Sequence, residues 1–267
     1  MYVRLHLQNK TIIVTGASSG IGERLSWHIA KNGGTPIMIA RSLDKLENQR
    51  EKLKRSFDAT SFAYQADITD HEEFEDVIKQ ILTDHKQIHG LINNAGVGVF
   101  DYVNEMKLDD MERMFQLNVF ALIRGTKLLL PHFSANRRKC HIVNIASQAG
   151  KIATPKSAVY AATKHAVIGF TNALRLEVAS KGIYVMAVNL GPVRTNFFTT
   201  ADPDGSYQKS VARYMLDPDK VATKIVKNLF SKKREINLPH WMDAGSKLYQ
   251  LFPGGVETLL KKQFNRK

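Results

Sequence analysis

Residues 11–34 constrain the fold more than any other stretch of the chain. Thr11-Ile-Ile-Val-Thr15 is a short, apolar, β-branched run, the pattern of a buried strand. It leads directly into Gly16-Ala-Ser18-Ser19-Gly20-Ile21-Gly22. An amphipathic helical pattern follows, with Ile21, Leu25, Ile29 and Ala30 on one side, and it stops at Asn32-Gly33-Gly34. Strand, glycine loop and helix in this order is the setting in which such a loop holds a dinucleotide. The glycines permit a tight turn and let the backbone approach a pyrophosphate. The helix N-terminus adds unpaired N–H groups and a positive dipole. The spacing is G-x-x-x-G-x-G, not the general G-x-G-x-x-G.

Beyond this unit the chain alternates strand-like and helix-like segments, which implies an α/β fold with a parallel sheet and helices on both faces. Strands are expected at residues 36–40, 61–65, 88–93, 140–145, 183–189 and 235–238. Helices are expected at 42–55, at 109–133 and from Tyr160 to residue 180. Thr69-Asp-His-Glu72 reads as a capping box opening a helix that runs to residue 85. Asp217-Pro218 starts another, with proline at its first position.

The length of 267 residues suits one domain, with residues 1–240 as its body and 241–267 as part of it or a surface appendage. No stretch approaches the roughly 20 apolar residues of a spanning helix. The N-terminus has no secretory apolar core, and the single Cys140 excludes an internal disulfide. A cytoplasmic, reducing setting is expected. The net charge of +13, with basic clusters at residues 137–139, 232–234 and 261–267, favours anionic partners such as a phosphorylated cofactor or an anionic membrane. No nucleic-acid-binding signature accompanies it.

A second constellation lies further on. Ser147 precedes Tyr160 by thirteen residues, and Lys164 follows Tyr160 by one helical turn. Tyrosine is a poor acid or base at neutral pH, with a reference pKa near ~10. A lysine four residues on shares its helix face and favours tyrosinate. At ~4 Å and an effective dielectric of ~20 the attraction is about 4 kcal/mol. That lowers the tyrosine pKa by roughly 3 at most, before desolvation raises it again. A phenol so tuned exchanges protons near pH 7. Of the eight tyrosines, only Tyr160 has a lysine at this spacing, which singles it out.

Together these segments resemble the short-form branch of the short-chain dehydrogenase/reductase family. Residues 15–22, Asn93-Asn94-Ala95-Gly96, Asn118, Ser147 and Tyr160-x-x-x-Lys164 stand in that family's order and spacing. The similarity covers residues 11–195, and the elements through residue 238 fit it. The resemblance implies a Rossmann-type, doubly wound parallel sheet of about seven strands. It also implies nicotinamide-dependent interconversion of a carbonyl and an alcohol. Tyr160 would be the acid in reduction and the base in oxidation. Lys164 would lower its pKa and hold the nicotinamide ribose. Ser147 would bind the substrate oxygen, and Asn118 would complete a water-linked proton path. Asn118 has a second reading, as a buried side chain bonding backbone.

The same resemblance places the dinucleotide against Gly16, Ser18, Ser19, Gly20, Ile21 and Gly22. It adds Asp67 and Ile68 at the adenine, Asn94, Ala95 and Gly96 after the fourth strand, and Pro192, Val193 and Thr195 after the sixth, besides Tyr160 and Lys164. Asp67 reads almost equally well as a helix cap. The family has Pro-Gly where this chain has Leu190-Gly191, which loosens that turn. The second strand ends Ile39-Ala40-Arg41-Ser42, with no acid for a ribose 2′-hydroxyl and an arginine whose planar fork suits a 2′-phosphate. NADP(H) is therefore expected over NAD(H).

Phe100, Tyr102, Met106, Phe197, Phe198, Tyr207, Tyr214 and Met215 are expected around the substrate, and their character favours an apolar carbonyl compound. The alternative reading is a catalytically silent dinucleotide-binding scaffold or sensor, and an epimerase or dehydratase is weaker. Ser147 is not in a nucleophile elbow, and His85 and His89 are not expected to share a metal. A homo-oligomer, dimer or tetramer, is expected. In the tail, Val256, Leu259, Leu260 and Phe264 fall on one helical face beside Lys261 and Lys262, after a hinge at residues 253–255. That stripe packs on protein or lies on an anionic membrane.

Overall fold

The computed structural model describes residues 6–136 and 139–264, of which 260–264 are described by backbone alone. Seven parallel strands form its spine: β1 (Thr11–Thr15), β2 (Thr35–Ala40), β3 (Phe62–Gln65), β4 (Gly90–Asn93), β5 (Cys140–Ile145), β6 (Ile183–Leu190) and β7 (Glu235–Leu238). Their order across the sheet is β3-β2-β1-β4-β5-β6-β7. The helices are α1 (Gly20–Lys31), α2 (Leu43–Phe57), α3 (His71–Asp84), α4 (Leu108–Phe115), α5 (Ala121–Ala135) and α6 (Ala158–Glu177). They continue with the short α7 (Phe197–Ala201) and α8 (Ser206–Val211), then α9 (Pro218–Lys227), α10 (His240–Leu251) and α11 (Pro253–Phe264).

The strands are apolar at nearly every position because both faces of the sheet are covered. Side chains alternate across each strand. Ile12 and Val14 of β1 join a core that includes Leu25 and Ile29 of α1 and Ile225 of α9. Ile13 joins the opposite core, with Phe74 of α3, Phe133 of α5 and Leu174 of α6. The sheet is the doubly wound arrangement expected from the alternation. Its winding reverses between β1 and β4, which opens a crevice beyond their C-terminal ends.

Several local expectations need correction. α3 is capped by Asp70, whose carboxylate accepts the Glu73 N–H at 3.0 Å, and not by Thr69. The Thr69 hydroxyl is held instead by Asp67, at 2.7 Å. The single long helix expected over 109–133 is interrupted by a π turn at Gln116–Phe120, between α4 and α5. β4 begins at Gly90, two residues later than expected. The expected hinge at 253–255 is the first turn of α11, and the break falls at Phe252 (φ −137, ψ 60). Proline is tolerated at that first helical position because the N–H it lacks would be unpaired there. The single Cys140 is buried at the start of β5.

Candidate active site

The ends of β1 and β4 are locked together. The Thr15 hydroxyl accepts the N–H groups of Asn94 (3.0 Å) and Ala95 (3.2 Å), and the Asn94 amide donates to the Thr15 carbonyl (3.0 Å). The glycine loop is wedged against this junction. Gly16 has φ +65, and a Cβ there would stand 2.8 Å from Ala95 Cα. A Cβ on Gly22 would lie 2.2 Å from the Gly16 carbonyl oxygen. Close backbone approach therefore demands glycine at both positions. The N-terminus of α1 begins at Gly20, with Ser19 as its N-cap.

A cavity of about 1100 Å³ runs from this loop across the crevice. Its wall includes Gly16, Ser18, Ser19, Gly20, Ile21, Arg41, Asp67, Ile68, Asn94, Ala95, Gly96, Ser147, Tyr160, Lys164, Pro192, Val193 and Thr195. Two residues expected at the site stand outside that wall. Gly22 packs beneath the loop. Asn118, carried by the π turn, directs its side chain to backbone: it accepts the Val97 N–H at 2.8 Å and donates to the Val97 carbonyl at 2.8 Å. It also donates to Thr163 Oγ1 at 3.1 Å, so the side chain braces the loop after β4 against α6.

Tyr160 and Lys164 are both buried on α6. Lys164 Nζ donates to the Ile145 carbonyl at 3.1 Å and stands 5.7 Å from the centre of the Tyr160 ring. Burial pushes the Tyr160 phenol up to about 12, against the lowering pull of the Ser147 hydroxyl. Burial also pushes Lys164 down to about 8. The expected lowering of Tyr160 by Lys164 therefore does not prevail. The ammonium is turned to a backbone carbonyl, and the phenol is packed against Phe100 and Phe197, each with ring centre 5.7 Å away. Ser147 Oγ meanwhile donates to the Leu190 carbonyl at 3.2 Å and accepts the Ala149 N–H at 3.1 Å.

The departure at Leu190-Gly191 leaves the turn well held. Gly191 donates to Leu238 of β7, Leu216 donates to Pro192 at 2.8 Å, and Arg194 donates to Leu216 at 2.9 Å. Backbone pairing on both sides supplies the rigidity that a proline would add. At the far end of the glycine loop, Asp67 accepts the N–H and hydroxyl of Thr69, and Arg41 Nη1 approaches its other oxygen at 3.9 Å. Burial raises Asp67, but the Thr69 bonds and Arg41 outweigh it and hold the carboxyl below its usual range. Lys45 and Arg113 also line this end, and both were missed in the sequence. Lys45 carried a signal, four residues beyond Arg41 and one turn into a helix.

Around the phenol, the wall is aromatic. Phe100, Phe197, Phe198, Tyr207 and Tyr214 line it as expected. Three other expectations fail. Tyr102 is exposed, with Lys156 5.2 Å from its ring centre, Met106 is buried beside Met114 and Val97, and Met215 is not in the wall. Trp241, Met242 and Leu248 of α10 take part instead. α10 is tied to the turn after Ser147 through Lys151, whose ammonium meets Glu235 of β7 at 2.7 Å and Asp243 at 3.4 Å.

The sequence pattern described as short chain dehydrogenase matches residues 10–205. The chain belongs to the short-chain dehydrogenase/reductase family. This family member is similar, at 31% identity over 263 residues, to the NADP-dependent 3-hydroxy acid dehydrogenase of Schizosaccharomyces pombe, covering 96% of this chain and 98% of that one. Its fold is similar to a short-chain dehydrogenase from Sphingobium yanoikuyae in complex with NADPH, with TM-score 0.78, 25% identity and coverage of 92% and 95%. It is also similar to a 3-ketoacyl-(acyl-carrier-protein) reductase from Brucella melitensis complexed with NADH, with TM-score 0.77, 26% identity and coverage of 87% and 97%. This short-chain dehydrogenase/reductase is accordingly an oxidoreductase with a Rossmann-type nucleotide-binding fold.

Proposed function

We propose that this short-chain dehydrogenase/reductase uses NADPH to reduce an apolar carbonyl compound to its alcohol, with Tyr160 as the proton donor. One observation carries the reading. Tyr160, Ser147 and Lys164 sit in an aromatic part of the same cavity whose other end is a glycine cradle with Arg41. That cradle, whose backbone at Gly16 packs too closely on Ala95 to admit a Cβ and which leads into the N-terminus of α1, suits a pyrophosphate. The dinucleotide supplies the hydride.

The remaining chemistry belongs to the side chains. A phenol pushed up to about 12 is a weaker acid than a free tyrosine but keeps its proton at neutral pH, and it gives that proton up as negative charge develops on the carbonyl oxygen. The Ser147 hydroxyl, now on the Leu190 carbonyl, turns to donate to that same oxygen. Lys164, held by the Ile145 carbonyl, would hold the nicotinamide ribose, and its charge favours the phenolate that proton transfer leaves behind. The Asn118 side chain keeps the loop after β4 in register with α6. Apart from Lys164, the wall around the phenol is dominated by Phe100, Phe197, Phe198 and Tyr207, so burial of an apolar chain drives substrate binding.

Arg41 carries the choice of cofactor. Fold neighbours hold NADPH in one case and NADH in another, so the fold alone does not decide. The name of the yeast relative points to NADP. The end of β2 has no carboxylate, and Arg41, Lys45 and Arg113 gather there. Arg41→Ala is expected to raise the dissociation constant for NADPH roughly 10- to 100-fold, the worth of a charge-assisted phosphate contact of ~1.5–3 kcal/mol. NADH binding should barely change, because NADH has no 2′-phosphate. Cofactor fluorescence titrations read both constants, and equal weakening would remove Arg41 from the phosphate site.

A further inference from the structure

We infer that the α10–α11 hairpin docks on the surface of an anionic lipid bilayer and sets the mouth of the active-site cavity against it. Half of the twelve exposed large apolar side chains among the described residues belong to this hairpin or pack on it: Trp241, Leu248, Leu251, Phe252 and Leu259 lie on α10, on α11 or between them, and the Tyr214 ring meets Trp241. On α10, Trp241 and Leu248 stand two turns apart on one face, Leu251 closes the helix, and Phe252 follows at the break before α11. The side chains are well out in solvent, with Leu251 72%, Phe252 63% and Leu259 80% exposed. Exposed apolar side chains grouped on one element of a folded domain are a mark of a binding surface.

The kind of partner follows from three further observations. First, the patch is continuous with the cavity: Trp241 (56% exposed) and Leu248 (52% exposed) also belong to the cavity wall. Whatever covers the patch meets the cavity mouth, which suits a reservoir of apolar molecules better than a plug of protein. Second, the rim has interfacial character. The Arg213 guanidinium lies 4.5 Å from the centre of the Tyr214 ring, which is 5.4 Å from that of Trp241. Tyrosine and tryptophan favour the boundary between water and lipid.

Third, the charge is complementary. Residues 240–267 contain five basic residues (Lys247, Lys261, Lys262, Arg266 and Lys267) against two acidic ones, a net charge of +3. Both acids have partners: Asp243 meets Lys151 and Lys247, and Glu257 accepts the Tyr249 hydroxyl. No helix among the described residues is long and apolar enough to cross a membrane, and α10 and α11 have 12 residues each. They lie on the lipid with the exposed apolar side chains inserted, and the net positive charge of this part of the sequence favours anionic headgroups. Delivery of a carbonyl compound from bilayer to Tyr160 rests on the function proposed above; the docking itself does not.

The test uses the full chain and vesicles of phosphatidylcholine with and without phosphatidylglycerol. The native protein is expected to float with the anionic vesicles and to bind the neutral ones far less. Leu251→Asp combined with Phe252→Asp removes two anchors that are not in the cavity wall. It should weaken vesicle binding by at least about tenfold while NADPH affinity and melting temperature stay at native values. No flotation by native protein, or equal flotation by native and variant, overturns the inference. So does a native dimer, seen by light scattering, that the double substitution dissociates while neither form binds vesicles, since the patch then belongs to a second copy. Vesicle binding is read without turnover, so failure of the docking and failure of the reductase reading are separable.

Discussion

Tyr160→Phe is expected to lower kcat for carbonyl reduction by about 10³-fold, near 4 kcal/mol of transition-state stabilisation. The substitution removes one oxygen and leaves the ring in place against Phe100 and Phe197. The fold and the apolar wall should therefore be unaffected, and KM should change little. A proton must still reach the product oxygen. Ser147 donates only a hydrogen bond, and Lys164 is turned to the Ile145 carbonyl, so neither replaces the phenol. Steady-state rates with NADPH, alongside a melting curve, check both halves of the expectation. Near-native kcat in the variant would remove Tyr160 from the chemistry.

The second large effect is expected at Gly22. An added methyl would meet the Gly16 carbonyl oxygen at 2.2 Å and Asn94 Nδ2 at 2.6 Å. Neither can swing away. Gly16 O belongs to the main chain of the loop, and Asn94 Nδ2 is held by the Thr15 and Gly16 carbonyls. Overpacking of this kind costs about 1–3 kcal/mol or more. Gly22→Ala is thus expected to lower the melting temperature by roughly 5–10 °C. It should also abolish the stabilisation that added NADPH gives the native protein. Gly169→Ala is the contrasting control. Nothing lies within 4 Å of its Cβ position in α6, so it should leave the melting temperature level or raise it slightly. If Gly22→Ala melts as the native protein does and still gains stability from NADPH, the close packing of the loop is not what shapes the cradle.

The fold was legible because its signals were local and repeated. Apolar runs such as 11–15 and 140–145 could only be strands covered on both faces, and proline after Asp217 announced the start of α9. Boundaries moved where two polar side chains competed for one role. Thr69 and Asp70 both suit a cap, and Asp67 captured Thr69. The π turn at 116–120 left no trace in periodicity, because one extra residue in a helix shifts the pattern only slightly. Asn118 was visible as a residue, but its bonding to Val97 depends on where the loop after β4 returns.

The site divided in the same way. The glycine loop, Ser147, Tyr160 and Lys164 share fixed sequence spacing and meet in one cavity. The part played by α10 was hidden, because it depends on the distant contact of Lys151 with Glu235 and Asp243. The state of Tyr160 was hidden too. A helical spacing fixes that Lys164 is near, but only the surrounding structure tells that burial raises the phenol against the pull of Ser147.

Reduction of an apolar carbonyl with NADPH is the activity on which the proposed function stands. The most direct measurement follows NADPH absorbance while native enzyme meets straight-chain aldehydes and methyl ketones of increasing length. NADPH should be consumed and kcat/KM should rise with chain length, as each methylene buried against Phe100, Phe197 and Phe198 contributes up to ~0.8 kcal/mol. A protein that binds NADPH tightly yet oxidises it with no member of either series would not be this reductase but a dinucleotide-binding scaffold.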